Sequence, residues 1–131
     1  MRFSIFAASS LFAVLAAASS ENVTVEDLFI RDNNGIQSAG LTILPANVTC
    51  SGNATQLAGY AVASCGDSVY SFAVNGSDSV YSLRIYEAKG VGFGLYGEVT
   101  DLPVNCRAGG DGQDDEVCNQ VGTIEATISS G

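Results

Sequence analysis

The side chains with the most distinctive chemistry in this sequence are its four cysteines, Cys50, Cys65, Cys106 and Cys118. Zinc sites commonly use closely spaced cysteine pairs or histidines, but this chain has no C-x-x-C motif and no histidine. An even number of cysteines in an exported chain instead predicts two disulfides. The residues alone leave three pairings open.

The stretch between the last two cysteines is acidic and rich in glycine. Its acids are Asp111, Asp114, Asp115 and Glu116. Several oxygens could bind a hard cation such as Ca²⁺, but their spacing does not fit the alternating ligands of an EF-hand. Its glycines, which mark a chain that doubles back, are Gly109, Gly110 and Gly112. We therefore expect a solvated turn, without a metal or cofactor, that a bond between Cys106 and Cys118 would close.

The absence of histidine limits the catalytic groups that the chain can offer. It excludes a Ser-His-Asp triad, a Cys-His pair and any imidazole general base. A glycosidase would need only two carboxylates, but the 14 acidic residues supply so many pairs that no pair is informative. We expect no enzymatic activity.

Four N-x-S/T sequons could accept N-linked glycans in an exported chain. They begin at Asn22, Asn47, Asn53 and Asn75. Asn47 and Asn53 flank Cys50 in a polar segment and are the better candidates. Asn75 must also serve a predicted turn, and Asn22 lies close to the predicted mature N-terminus.

Five tyrosines could bind a small aromatic ligand: Tyr60, Tyr70, Tyr81, Tyr86 and Tyr96. A tyrosine on a strand more commonly keeps its ring buried and its hydroxyl wet, so packing at the rim of the core is the ordinary interpretation. A small-molecule site is the minority hypothesis.

The N-terminus predicts a signal peptide over residues 1–18. Arg2 precedes an apolar run that ends in Ala16-Ala17-Ala18 and is too short to span a membrane. Residues 19–131 then form one secreted, soluble domain. Loss of Arg2 leaves four basic residues against 14 acidic ones, one unit more negative than the −9 of the whole chain. Scattered cations and this charge exclude nucleic acid and anionic membranes as partners.

Short apolar segments with a period of two predict strands through the whole mature chain. In residues 69–74 and 80–86 the alternation places Tyr70, Phe72 and Val74, and then Tyr81, Leu83 and Ile85, on inward faces. Between them, Asn75-Gly76 predicts the tight turn of a hairpin.

The next segment places the apolar residues Val91, Phe93, Leu95 and Val99 on one face and Gly92 and Gly94 on the other, which predicts bending or close backbone contact. Further predicted strands cover residues 23–30, 41–44, 57–63 and 121–128. Without a helical period, these strands predict an all-β barrel or sandwich.

The run N-C-R-A-G-G-D-G-Q-D-D-E-V-C at residues 105–118, followed by V-G-T-I-E-A-T-I, resembles the C-terminal signature of the Alternaria major allergen family of secreted fungal proteins. Upstream, V-E-D-L, V-T-C, A-S-C-G and V-Y-S-F follow in a similar order. The resemblance implies a compact antiparallel β-barrel with disulfides Cys50–Cys65 and Cys106–Cys118.

Two departures from the family pattern also carry expectations. No cysteine lies between Ser19 and Thr49, where members that form a disulfide-linked homodimer have one, so we expect no such dimer. The aromatic pair that family members have before the second cysteine is replaced by Val62-Ala63-Ser64, which would remove any contact made by those rings.

The function that the resemblance implies is that of a secreted effector or elicitor at the boundary between fungus and plant. Such a protein binds host extracellular defence proteins and can act as an allergen. The contact residues that we expect lie in the cysteine-closed loop: Arg107, Asp111, Asp114, Asp115 and Glu116. The alternative is an extracellular carrier of a small phenolic or flavonoid-like molecule.

Overall fold

The alternating residues form ten β-strands in the computed structural model, which describes residues 19–130; the predicted signal peptide lies outside them. The strands are β1 Ser20–Asn33, β2 Ile36–Leu44, β3 Val48–Asn53, β4 Ala63–Ser64, β5 Tyr70–Ser77, β6 Val80–Gly90, β7 Phe93–Val99, β8 Val104–Ala108, β9 Asp115–Gln120 and β10 Ile124–Ser129. A short helix, α1 (Ala54–Leu57), and a 3₁₀ turn (Ala58–Tyr60) follow β3. Neither helical segment in this part of the chain is long enough to cross a membrane.

The strands make a nearly closed antiparallel β-barrel, as predicted. Their order is β3-β2-β1-β10-β7-β6-β5-β4, and the β8–β9 hairpin joins this sheet through the pairing of β9 with β1. The two terminal strands, β3 and β4, meet at a seam. There the Cys50–Cys65 disulfide joins them, with Cα atoms 4.3 Å apart. A covalent bond therefore completes the barrel where the ladder of hydrogen bonds stops.

Inward-facing apolar side chains fill the barrel. The predicted faces of β5 and β6 are confirmed, since Tyr70, Phe72, Val74, Tyr81, Leu83 and Ile85 are all buried. The hydroxyl of Tyr81 donates to the buried carboxylate of Asp32 on β1 at 2.6 Å, which joins two strands, β6 and β1, that are not neighbours in the sheet. Burial, and then this hydrogen bond, raise the pKa of Tyr81. A buried phenol thus receives the hydrogen-bond partner that it needs.

Strand β1 changes partner midway along its length. Its first half pairs with β10 and its second half with β9. Between the two halves, the register of its pairing with β2 shifts between Glu26 and Phe29, which leaves a gap in the ladder. The gap is filled by Gln120, whose Oε1 accepts from Leu28 N at 3.0 Å and whose Nε2 donates to Val25 O at 2.8 Å. One amide side chain thus satisfies backbone groups that the interrupted ladder leaves unpaired.

The predicted β5–β6 hairpin forms, but its turn is at Asp78-Ser79 rather than at Asn75-Gly76. Asp78 and Ser79 have φ of 53° and 71°, as a two-residue hairpin turn requires. Gly76 instead pairs with Tyr81 inside the ladder. A Cβ at Gly76 would collide with the carbonyl of Val80, so the glycine is needed for a close backbone approach.

Of the apolar residues predicted to share one face of the next segment, Leu95 is buried and Val99 packs against the core, but Val91 and Phe93 are exposed. The β6–β7 hairpin extends past the end of the barrel, so these two side chains lie beyond the core. Gly92 forms the turn at φ 68°. Gly94 permits a close approach, because a Cβ there would lie 2.6 Å from the carbonyl oxygen of Glu87.

Of the strand predicted at residues 57–63, only Ala63 lies in a strand, as the first residue of β4. Asn53 and Gln56 make a capping box: Gln56 N donates to Asn53 Oδ1 at 3.0 Å, and Asn53 N donates to Gln56 Oε1 at 2.9 Å. This starts helix α1, whose Leu57 is buried against Gly52. The N-x-x-Q spacing was the signal for a helix start. The strands predicted at 23–30 and 41–44 are confirmed, as is the alternation of Ile124, Ala126 and Ile128 in β10.

Candidate functional site

Three connections meet at one end of the barrel, which we call the acidic end. They are the β1–β2 turn, the β5–β6 turn and the loop between β8 and β9. They surround a groove of about 490 Å³ lined by Asp32, Asn34, Gly35, Ser77, Asp78, Gln113, Asp114 and Glu116. Four of the eight lining residues are carboxylates, so the groove would favour a cationic group.

The β8–β9 loop is held in place by contacts with the β1–β2 turn. Asn33 Nδ2 donates to the carbonyl of Asp111 at 3.2 Å, and Asn34 Nδ2 donates to Asp114 Oδ2 at 3.2 Å. The Cys106–Cys118 disulfide crosses the hairpin between directly paired residues. The loop therefore presents its acids from a supported framework.

Asp115 was expected to contact a partner, and its burial argues against that role. Its side chain is fully buried and accepts from Arg31 Nη2 at 2.8 Å and from Asp111 N at 3.0 Å. The hydrogen bond from Arg31 is the main cause that lowers the pKa of Asp115. Because β9 pairs with β1, Asp115 lies opposite Asn33 inside the structure. Asp115 therefore stabilises the β8–β9 loop through its contacts with Arg31 and Asp111.

The other expected contact residues divide between the loop and the strands of the hairpin. Asp111 and Asp114 are exposed in the loop. Glu116 is half-buried beside Asp32, and its Oε1 has no hydrogen-bond partner within residues 19–130. Arg107 is exposed on β8 and donates to Asn119 Oδ1 at 2.8 Å. The acidic groove thus includes two of the five candidates, Asp114 and Glu116.

Sequence reasoning missed two contributors to the acidic end, Asp32 and Asp78. They are distant in sequence from the β8–β9 loop and from each other, and only the strand order brings them together. The hairpin pattern predicted a turn near Asp78, but no local signal placed that turn beside the loop.

The acids of the β8–β9 loop do not converge on a shared metal position. Within residues 19–130, Cys106, Glu116 and Cys118 are the one group of three potential ligands that lie close together. Both sulfurs are bonded to each other in the disulfide and cannot act as thiolate ligands. All four cysteines are used in the two disulfides, with the pairing that the family resemblance implied.

A second cluster, the outer tyrosine face, lies on the outside of β6 and β7. The rings of Tyr86 and Tyr96 are 5.1 Å apart at a tilt of 30°. Beside them, the guanidinium of Arg84 lies 3.9 Å above the ring of Tyr60, and Glu98 accepts from both side chains. The bond from Tyr60, followed by that from Arg84, lowers the pKa of Glu98. Tyr70 and Tyr81, by contrast, lie in the core.

The opposite end of the barrel carries an ion-paired cluster. Lys89 on β6 bridges Glu21 and Glu87. Burial is the main cause that raises the pKa of Glu87, and the neighbouring carboxylate of Glu21 adds to the effect. Because these charges are paired with each other, this end offers less free charge than the acidic end.

A wider groove of about 820 Å³ follows the partner change of β1, where β9 and β10 diverge. Gln120 crosses this groove and bonds backbone groups on both of its sides, including Gly122 O at 2.8 Å. Its lining includes the exposed side chains of Phe29 and Val121. The groove has a structural occupant in Gln120, so the acidic end remains the better candidate for binding.

A family model described as Alternaria alternata allergen 1 matches residues 25–118. The chain belongs to the Alternaria alternata allergen 1 family. This confirms the resemblance that the C-R-A-G-G stretch indicated. No protein with a curated function matches the chain.

Two crystal structures of the Alternaria alternata allergen Alt a 1 have the same fold. One is 26% identical, with a TM-score of 0.70 over 83% of this chain and 88% of that one. The other is 27% identical, with a TM-score of 0.67 over 84% and 94% of the two chains.

Proposed function

We propose that this member of the Alternaria alternata allergen 1 family is a secreted effector or elicitor that binds a plant extracellular protein and has no enzymatic activity of its own. The observation that carries the proposal is the acidic end, where loops from three parts of the chain surround one groove. Rigid scaffolds commonly carry binding residues on such loops. We also propose that this chain can act as an allergen.

The partner surface that fits the acidic end is basic. Asp78, Asp111 and Asp114 are exposed there, and the mature chain carries a large excess of negative charge. Complementary charge steers association and fixes orientation more than it adds affinity. Binding should therefore weaken as salt is raised, because exposed charges are screened over about 10 Å at 0.1 M salt.

Capture from plant extracellular fluid tests this proposal. The immobilised protein should retain a basic defence protein, and the variant Asp78→Asn/Asp111→Asn/Asp114→Asn should retain much less. Asn tolerates the positive φ of Asp78, so the turn is kept. The matched control Glu26→Gln/Asp67→Asn/Glu125→Gln removes the same charge from exposed sites away from the acidic end. If the native protein retains nothing, or both variants lose capture equally, the proposed site is wrong.

A specific observation also favours a second candidate, the binding of a small aromatic molecule. The barrel interior is filled by side chains such as Phe72 and Tyr81, so such a ligand would bind outside, on the outer tyrosine face. Tilted ring pairs and a nearby guanidinium are favourable to flat aromatic ligands. Tyrosine fluorescence titrated with plant phenolics should change for the native protein and for Tyr70→Phe, but not for Tyr86→Leu/Tyr96→Leu. A flat response of the native protein would rule this candidate out.

A further inference from the structure

We propose that the chain is N-glycosylated at Asn47 and Asn53, and that the two glycans cover the edge of β3 that lacks a hydrogen-bonded partner strand. In this modification Nδ2 of the asparagine bonds to the anomeric carbon of a lipid-linked oligosaccharide. The nitrogen loses one proton, and the lipid diphosphate leaves with the electrons of the broken bond. The inference is independent of the acidic end, but it requires the secretory route that the predicted signal peptide provides.

Asn47 stands in the turn between β2 and β3. It is exposed at φ 58°, and Thr49 of its sequon is exposed on β3. The side chain of Asn47 makes no hydrogen bond among residues 19–130. A glycan attached here would extend into solvent without displacing any described contact.

Asn53 combines a glycan acceptor with a helix cap on different atoms. Its Oδ1 accepts from Gln56 N, whereas its Nδ2 has no partner in the described part of the chain. Because only Nδ2 is modified, the cap and the glycan can exist together. Thr55 of the same sequon is exposed in α1.

The other two sequons lie inside strands, whereas Asn53 is the last residue of β3, opposite Ser38, and its sequon continues into α1; all four asparagines are exposed. Asn22 is paired with Thr127, whose hydroxyl donates to Asn22 Oδ1 at 2.9 Å, and Asn75 is paired with Ser82 in the β5–β6 hairpin. Glycan acceptors lie in surface loops, and this hairpin can form within microseconds from local residues. Asn47 and Asn53 are therefore the favoured pair.

The position of the two favoured sequons gives the glycans a physical role. β3 pairs with β2 on one side; on the other side, within residues 19–130, it meets β4 at the seam without a ladder of hydrogen bonds, and the Cys50–Cys65 disulfide is its link there. Unpaired edges invite pairing with another chain. Asn47 and Asn53 lie at the two ends of β3, roughly 20 Å apart at about 3.4 Å per residue. Two hydrated glycans there would obstruct approach to the edge on both sides of the seam.

Secretion of the full chain from a glycosylating eukaryotic host tests the proposal by intact mass before and after peptide N-glycosidase. The native chain should lose two glycans, and Thr49→Ala and Thr55→Ala should each lose one. Thr49→Ser and Thr55→Ser, which keep the sequons, should behave as the native chain does. Thr55→Ala also leaves the Asn53 cap intact, so folding is not confounded. An unmodified chain, or glycans removed by Asn22→Gln or Asn75→Gln instead, would overturn the proposal.

Self-association measures separately whether the glycans cover the edge of β3. Light scattering at equal concentration should show more self-association for Thr49→Ala/Thr55→Ala than for Thr49→Ser/Thr55→Ser. Enzymatic removal of the glycans from the serine variant should erase that difference. Equal association of the two glycoforms would refute the covering of the β3 edge.

Discussion

The two disulfides of this protein close loops of similar length but stand in different surroundings. Cys50–Cys65 spans 15 residues and Cys106–Cys118 spans 12. Cys50 and Cys65 are both buried, and they join terminal strands at the seam. Cys106 is only half-buried, and it joins β8 to the strand with which β8 already pairs.

The two bonds should constrain the unfolded chain to a similar degree, but they contribute differently to the native structure. Chain entropy alone would give each bond about 3 kcal/mol. At the seam, however, the bond replaces a missing ladder. In the β8–β9 hairpin it adds to a ladder, and the pairing of β9 with β1 and the Arg31–Asp115 contact also hold that hairpin. The two bonds should therefore differ in what their removal costs.

The largest effect is expected from removal of the seam bond. Cys50→Ala/Cys65→Ala should lower the free energy of unfolding by about 3 kcal/mol or more, since the terminal strands lose their connection as well as the loop constraint. Urea unfolding followed by circular dichroism measures this loss. A cost below that of the hairpin bond would refute the distinction between the two disulfides.

Removal of the hairpin bond should cost less. For Cys106→Ala/Cys118→Ala we expect a loss of about 1–2 kcal/mol, because the paired strands remain aligned without the sulfurs. Amide hydrogen exchange should show faster exchange in β8 and unchanged protection in β5 and β6. Exchange that increases through the whole barrel would show that this bond also supports the closed sheet.

The stability lost with the hydrogen bond from Tyr81 to Asp32 can be compared with the stability lost with each disulfide. Tyr81→Phe leaves one oxygen of the buried Asp32 carboxylate without its donor, which should cost about 1 kcal/mol. Thermal or urea unfolding provides the measurement, and Tyr70→Phe, a buried ring without this bond, serves as the control. Equal losses in the two variants would mean that the bond to Asp32 contributes nothing specific.

The Arg31–Asp115 contact should stabilise the hairpin in a manner that depends on pH. Arg31 holds the pKa of Asp115 below its ordinary value, so its contribution is present above the ordinary pKa and is lost as pH falls through the lowered one. Arg31→Met should therefore be less stable than the native protein at pH 7, and the gap should shrink in acid. We expect an effect no larger than for Tyr81: the Arg31 side chain is 44% exposed, and the fully buried Asp115 carboxylate keeps its hydrogen bond from Asp111 N. A gap independent of pH would contradict this origin.

The smallest effect on stability is expected in the β8–β9 loop itself. Asp111→Asn/Asp114→Asn should change the free energy of unfolding by less than about 0.5 kcal/mol, as is usual for exposed positions. Paired with the capture experiment, this variant would separate binding from folding. A loss comparable to that of the hairpin disulfide would show that these acids are structural.

Much of the fold could be predicted, because alternation is a local property of a strand. The inward faces of β5 and β6 follow directly from the sequence, and the family signature supplied the disulfide pairing. The acidic end could not be predicted in the same way. Whether Asp115 faces a partner or Arg31 depends on the register of β9 against β1, which pairs residues about 80 positions apart.

Local signals also competed with one another. Asn75-Gly76 has the composition of a hairpin turn, but the turn lies three residues later, and Gly76 pairs inside the ladder, where the backbone of β6 approaches it closely. The apolar residues near Leu57 suggested a strand, whereas the capping box at Asn53 starts a helix. In both places, side-chain chemistry at the boundary mattered more than the apolar pattern.

The path of the chain between β7 and β10 has one more consequence. These strands pair with each other, as Tyr96 does with Ser129, although residues 100–123 separate them in sequence. That segment leaves the barrel, forms the β8–β9 hairpin along β1 and returns beside its point of departure, since Val121 N donates to Pro103 O at 2.9 Å. An excursion with adjacent ends can be exchanged without altering the order of the remaining strands. Its exposed tip between β8 and β9 offers a graft site, where foreign peptides could be displayed while β9 and Gln120 keep their places against β1.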